Sequence, residues 1–208
     1  MKIVVMGPQG SGKGTQAERI VKEYKIPHIS TGDILRKNIA DKTPLGKTAK
    51  LHIDKGELVP DAVVNDMVQE RLGKKDCKKG YLLDGYPRTL NQAKALERYD
   101  KVEKVFLLEV PDEVSVRRLS ARRQCSTCGK IFGIDIPPKR EGVCDSCKGR
   151  LFQRDDDMPE KINTRLKEYH KETEPLVGFY GKRIVRLDGT KPIDAVFKEI
   201  AKVLEGLR

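Results

Sequence analysis

Lys2-Ile3-Val4-Val5-Met6-Gly7-Pro8-Gln9-Gly10-Ser11-Gly12-Lys13-Gly14-Thr15 is the stretch whose reading decides the fold. Residues 2–6 are a short apolar, β-branched run that stops at a glycine, the pattern of a parallel strand buried on both faces. A helical pattern follows over 13–24. Between them the glycines let the backbone turn tightly and approach an anion without Cβ clashes. Inward N–H groups at a positive helix N-terminus then form an anion cradle. Lys13 is placed to bridge the outer phosphates. The strict phosphate-loop pattern has Ser or Thr directly after the lysine, whereas Gly14 here precedes Thr15. An ordinary glycine-rich strand–helix turn is the alternative, and the lysine, the loop length and the flanking elements favour phosphate.

Outward from this loop, strands alternate with helices. Residues 26–29 read as a second strand, and Ser30-Thr31-Gly32-Asp33 supplies N-cap residues for a helix through Ile39. Pro44 restarts helix and Gly56 ends it, and Pro60-Asp61 opens another helix through Leu72. Tyr81-Leu82-Leu83 reads as a strand that ends at Asp84-Gly85. A helix at 89–99, a strand at 104–110, and a helix from Pro111-Asp112 to about Arg123 follow. From Gln124 to Gln153 the helical period disappears, and an inserted module with four cysteines takes its place. Helix returns from Pro159 to about Glu174, then a strand at 183–187 and a terminal helix from Pro192. The alternation predicts an α/β fold with a parallel sheet. No solenoid period and no low-complexity tract is present.

The chain has 208 residues, 38% of them hydrophobic and 35% charged, as in an ordinary globular protein of one or two domains. No apolar stretch approaches the roughly 18 residues of a membrane-spanning helix. The start runs from strand straight into the glycine loop without the marks of a signal peptide, so a cytoplasmic protein is expected. A formal charge of +11 favours acidic partners, nucleic acid or phosphorylated small molecules, with plain solubility as the bland alternative.

Four of the five cysteines form the pattern Cys125-x2-Cys128-x15-Cys144-x2-Cys147. That spacing fits a closed tetrahedral thiolate site. Zinc is the default ion, iron and cobalt also accept four thiolates, and two disulfides are the alternative in an oxidising compartment. Cys77 stands alone and reads as structural. A zinc ribbon that binds nucleic acid would be the basic part of the protein. Residues 122–157 instead carry eight Lys or Arg against six Asp or Glu, and four thiolates on a divalent ion remove the remaining +2. No nucleic-acid partner is expected.

GPQGSGKGTQ, STGDILR at 30–36, LLDGYPRT at 82–89, RRLSARR at 117–123, RDDD at 154–157 and LDGTKP at 187–192 occur in the order found in adenylate kinases, and the chain resembles that family along nearly its whole length. The resemblance implies a three-layer P-loop core (1–29, 60–121 and 158–208), a helical AMP-binding flap at 30–59, and a small β-rich metal-binding lid at 122–157. It implies reversible, Mg²⁺-dependent phosphoryl transfer from ATP to AMP giving two ADP, by a monomer. ATP is assigned to Gly10, Ser11, Gly12, Lys13, Gly14, Thr15, Arg118, Arg122, Ile131, Phe132 and Lys191. AMP is assigned to Thr31, Arg36, Glu57, Leu58, Val59, Gly85, Arg88, Gln92, Arg154 and Arg165. Lys13, Asp84, Arg88, Arg122, Arg154 and Arg165 are the expected catalytic groups, with Asp84 orienting Mg²⁺ or its waters and Asp33, Asp156 and Asp157 ordering the arginines. Gln92 is expected to read the adenine edge through its donor–acceptor amide. Three departures stand out: Gln9 where many members carry proline, Phe132 where tyrosine is common, and Gly133 where histidine is frequent. Another nucleoside monophosphate kinase is the near alternative. A zinc-ribbon nucleic-acid module or an inactive ATP-binding scaffold is the rival of a different class.

Overall fold

The computed structural model describes residues 1–207. In chain order it contains β1 (Lys2–Met6), α1 (Lys13–Tyr24), β2 (His28–Ser30), α2 (Thr31–Ala40), α3 (Pro44–Ile53), α4 (Asp61–Leu72), β3 (Tyr81–Asp84), α5 (Leu90–Tyr99), β4 (Lys104–Glu109) and α6 (Asp112–Ala121). Then follow β5 (Arg123–Cys125), β6 (Ile131–Phe132), β7 (Leu151–Phe152), α7 (Pro159–Glu168), α8 (Leu176–Tyr180), β8 (Ile184–Asp188) and α9 (Ile193–Glu205).

β1 is the centre of a five-stranded sheet in the order β2-β3-β1-β4-β8. All four pairings are parallel. Successive side chains of a strand face opposite sides, and both sides of β1 are covered. Val4 and Met6 join Leu83, Val105 and Leu107 under the α2–α5 and α8 layer. Ile3 and Val5 join Leu82, Phe106 and Leu108 under α1 and α9. Each such aliphatic group stabilises by about 1.5–3 kcal/mol on burial, so the apolar run at 3–6 holds both layers to one sheet. The register aligns Ser30 with Asp84 and Asp84 with Val5. The carboxyl ends of β1, β2 and β3 therefore emerge along one edge, where ligands of parallel sheets bind.

Three of the boundaries that differ from the sequence reading have a plain structural cause. The second strand is His28–Ser30 rather than 26–29. Pro27 has no N–H to give a ladder, and its carbonyl alone accepts, from Leu82 N. The helix from Asp112 ends at Ala121 because Arg122 adopts an extended conformation that leads into β5. The helix expected to reach Glu174 stops as α-helix at Glu168 and widens into a π turn over Tyr169–Thr173, closed by Glu174 N donating to Tyr169 O at 2.9 Å. The cysteine-bearing segment folds as an antiparallel sheet, β6-β5-β7, apart from the main one.

α2 and α3 cross at Gly46, which follows the Thr43 cap and Pro44 at the start of α3. A Cβ on Gly46 would lie 2.0 Å from the Asn38 carbonyl oxygen, which is backbone and cannot swing aside. Gly46→Ala is expected to destabilise the fold by about 1–3 kcal/mol through overpacking, read as a lower midpoint in chemical denaturation.

Candidate active site

The phosphate loop is shaped by its glycines. Gly7 has φ +140°, and a Cβ there would meet the Leu108 carbonyl oxygen at 2.3 Å. Gly12 caps α1 with φ +93° and offers no side chain to the helix N-terminus, whose first turn carries no acidic residue. The leading N–H groups of α1 are thus left without a protein acceptor, the arrangement that binds anions. Lys13 Nζ donates to the Gly7 and Pro8 carbonyls at 2.8 and 2.7 Å. Burial pulls the Lys13 ammonium down to about 7, with Asp84 opposing and the charges of Arg88, Arg165 and Arg122 reinforcing.

Asp84 closes β3 beside this loop. Gly14 keeps its carboxylate open, since a Cβ at residue 14 would lie 3.8 Å from Oδ2 and a longer side chain would reach over it. His28, which the sequence reading passed over, places Nε2 3.5 Å from Asp84 Oδ2. Burial disfavours the charged imidazole, but the hydrogen bond and charge of Asp84, with Asp33 and Glu18, outweigh it and hold its pKa above the usual value.

Two cavities open along the sheet edge. The larger, of about 330 Å³, is walled by residues 9–15, Arg118, Arg122, Ile131, Arg154 and Lys191. The second is walled by Thr31, Glu57, Leu58, Val59, Gln92 and Thr173. Gln9, Gly32, Arg36, Gly85, Arg88 and Arg165 face both. The residues expected at the donor line the larger cavity; of those expected at the acceptor, Thr31, Glu57, Leu58, Val59 and Gln92 line only the second, and Arg36, Gly85, Arg88 and Arg165 line both. Arg154, assigned to the acceptor, lines only the larger cavity, where its Nε donates to Gln124 Oε1 at 2.6 Å. Gln124 was not among the expected residues. Thr173 and Tyr169 were missed as well, because the π turn turns Thr173 toward the site, where its hydroxyl donates to the Arg88 carbonyl at 2.8 Å.

The arginines lean on two acids. Arg122 forks onto Asp157, with Nε donating to Oδ2 at 2.7 Å. Arg165 Nη1 donates to Asp157 Oδ1 at 3.3 Å and lies 3.1 Å from Asp156 Oδ2. Asp157 is 0% exposed, a buried carboxylate held between two guanidinium groups. Burial first, then neighbouring arginines, with nearby aspartates opposing, bring Arg88 to about 10 and Arg154 to about 9. Cations brought this close and desolvated mark a site built for an anion.

Gln92 is 2% exposed and already engaged: Oε1 accepts from Arg88 N and Nε2 donates to Asp61 Oδ1, both at 2.8 Å. Phe132 borders the larger cavity but is 1% exposed, its ring packed with Cys125, Cys144 and Leu151. The apolar groups left open over that cavity are Ile134 and Ile136, 45% and 39% exposed. Between them Asp135 reaches from this segment to Arg118 Nε at 2.9 Å.

The four thiols of Cys125, Cys128, Cys144 and Cys147 lie within 4.8 Å of one another. Cross-pair contacts of 3.4 Å (Cys125–Cys147) and 3.6 Å (Cys128–Cys144) exceed the roughly 2.05 Å of a disulfide. A tetrahedral ion with metal–sulfur bonds of about 2.3 Å has sulfur–sulfur edges of about 3.8 Å, so the donor set fits a metal. The backbone N–H groups of Cys128 and Thr127 draw the Cys125 thiol down to about 6, toward the thiolate a metal needs. A strong chelator is expected to lower the thermal midpoint by several degrees or more while leaving turnover at moderate temperature much less affected. An unchanged midpoint would exclude a structural metal.

The adenylate kinase family model matches residues 5–185. Curated relatives named adenylate kinase include one from Clostridium tetani, 50% identical over 98% of both chains. One from Methanosarcina mazei is also 50% identical over 98% of both. One from Caldanaerobacter subterraneus is 49% identical over 100% of this chain and 98% of its own. The chain belongs to the adenylate kinase family.

Proposed function

We propose that the protein catalyses Mg²⁺-dependent, reversible transfer of a phosphoryl group from ATP to AMP, giving two ADP. The observation that carries this reading is the shared wall of the two cavities. Arg36, Arg88 and Arg165 face both, so a group leaving one nucleotide site enters the other past guanidinium groups. Phosphoryl transfer through a loose transition state needs positioned positive charge more than covalent help. The attacking acceptor oxygen is already anionic, so no general base is required. Lys13 and the N–H groups of α1 hold the donor phosphates, and Arg88 and Arg36 hold the acceptor phosphate. Arg122, Arg154 and Arg165 neutralise the charge that spreads over the transferring group. Arg118 lines the donor cavity, its Nη1 donating to the Gly189 carbonyl at 2.9 Å, and would offer its guanidinium face to the donor base. Asp84 and Asp33 supply the carboxylates that would orient Mg²⁺, whose charge draws the donor phosphates into one geometry.

In this reading residues 30–59 close over AMP and residues 122–157 over ATP, each excluding water that would otherwise take the phosphoryl group. The lid metal is zinc in the first instance, with iron or cobalt as the alternatives that four thiolates allow. Among the described residues no helix is long and apolar enough to cross a membrane, and a cytoplasmic monomer acting on free nucleotides is the simplest assignment.

A coupled assay over AMP, GMP, CMP and UMP tests the acceptor. Turnover with AMP is expected to dominate, and activity confined to a non-adenine acceptor would overturn the reading.

Lys13 gives a second test. Its pKa of about 7 lies below the ordinary 10.5. A bound polyphosphate favours the ammonium and restores it to at least the ordinary value. ATP binding should therefore take up close to one proton between about pH 8 and 10, with uptake fading as pH falls below 7, where the ammonium is already charged. Calorimetric titrations in buffers of different ionisation enthalpy measure that uptake; none at pH 8.5 would contradict the depressed lysine.

A further inference from the structure

The Gln92 amide has partners that leave only one assignment of its ends. The Arg88 N–H can only donate, so it faces Oε1 at 2.8 Å, and the Asp61 carboxylate only accepts, so it faces Nε2 at 2.8 Å. A side-chain amide otherwise turns over with little change of shape, exchanging donor for acceptor. Held as it is, Gln92 keeps one N–H and one oxygen lone pair spare, in a fixed order.

Asp61 does not line the acceptor cavity. It is the first residue of α4, placed there by the Pro60-Asp61 helix start. Its second oxygen accepts from Thr89 Oγ1 at 2.8 Å, and the same Thr89 oxygen accepts from Gln92 N at 3.1 Å as the cap of α5. Asp61, Thr89 and Gln92 thus close a ring of hydrogen bonds that ties the start of α4 to the start of α5 behind the cavity.

Adenine presents a ring-nitrogen acceptor at N1 beside an amino donor at C6. A 6-oxopurine presents the reverse, an N1–H donor beside a carbonyl acceptor. A freely turning glutamine amide can satisfy either edge, whereas a locked one prefers one of them.

We propose that Asp61 is a specificity-determining positioning residue: by holding the Gln92 amide in one orientation it makes the acceptor site select 6-aminopurine over 6-oxopurine nucleotides. The inference rests on the acceptor reading above. The probes are AMP and inosine monophosphate, which differ only at the N1–C6 edge, with ATP as donor, and kcat/KM is measured for wild type, Asp61→Ala and Asp61→Asn. The AMP-to-IMP ratio is expected to narrow about tenfold in Asp61→Ala, the worth of one well-placed hydrogen bond. The change should appear in the acceptor KM, with the KM for ATP within about twofold of wild type. Asparagine can offer Gln92 either its oxygen or its NH₂, so Asp61→Asn should fall between wild type and alanine, and it decides the matter alone if the alanine variant does not fold. A ratio unchanged within twofold in the variants, with both acceptors weakened equally, marks a purely structural aspartate and overturns the inference. A wild-type protein with no preference for AMP over the other acceptors overturns the acceptor reading itself.

Discussion

The structure depends on the crowding of cations at the carboxyl edge of one sheet. Lys13, Arg88, Arg154 and Arg165 are each desolvated and each repelled by at least one neighbouring arginine. Two unit charges 4 Å apart interact by about 4 kcal/mol at an effective dielectric of 20, so such a group is tolerable only with fixed counter-charges. Asp84 stands against Lys13, and Asp156 and Asp157 stand against Arg165 and Arg122. The rest of the fold can be read as what keeps these charges in place. The strands aim the phosphate loop and Asp84 at one edge, and both core layers hold the strands. The charge is thereby aligned before any substrate arrives, which is the condition for electrostatic catalysis.

The same carboxylates organise the lid. Arg122 is where the chain leaves α6 for the small sheet, and Asp157 is where it returns toward α7. Their buried pairing closes the base of the 122–157 segment, and the four thiols gather within it. Arg165 adds α7 to the same knot. The 122–157 segment is thus anchored on arginines that also face the cavity. Asp135 adds a second link, joining the lid to Arg118 on α6 of the core. Two arginines of the larger cavity, Arg118 and Arg122, are thus each tied to this segment by an ion pair.

Much of this was legible in the sequence because it is written in local terms. An apolar run followed by a glycine loop, N-cap residues before helices and two Cys-x-x-Cys pairs are short-range signals, and α1, α4 and the cysteine cluster fall where those signals place them. What was missed depends on contacts between distant segments. Asp61 and Gln92 are thirty-one positions apart, and nothing local says that one will hold the other. His28 reads as an ordinary strand residue until β2 pairs with β3 and sets it beside Asp84. The π turn at 169–173 has the composition of plain helix. Its extra residue shows only when Thr173 is found bonded to the Arg88 carbonyl, and π turns often accompany functional sites.

Phe132 lines the larger cavity and is at the same time part of the segment's own core. The buried cluster of the 122–157 segment is Cys125, Phe132, Cys144 and Leu151. Two of these four are thiols of the metal-binding set, so only Phe132 and Leu151 are left as purely apolar packing. A segment this small cannot bury enough surface to order itself, and small modules of this kind rely on a metal whose binding free energy is also folding free energy. The phenyl ring is therefore packed inside, against the sulfur atoms, at the border of the larger cavity. Gly133 leaves open space beside it, with no atom within 4 Å of where a Cβ would stand. Ile134 and Ile136, on either side of the aspartate that pairs with Arg118, are the exposed large apolar groups of the segment along the larger cavity.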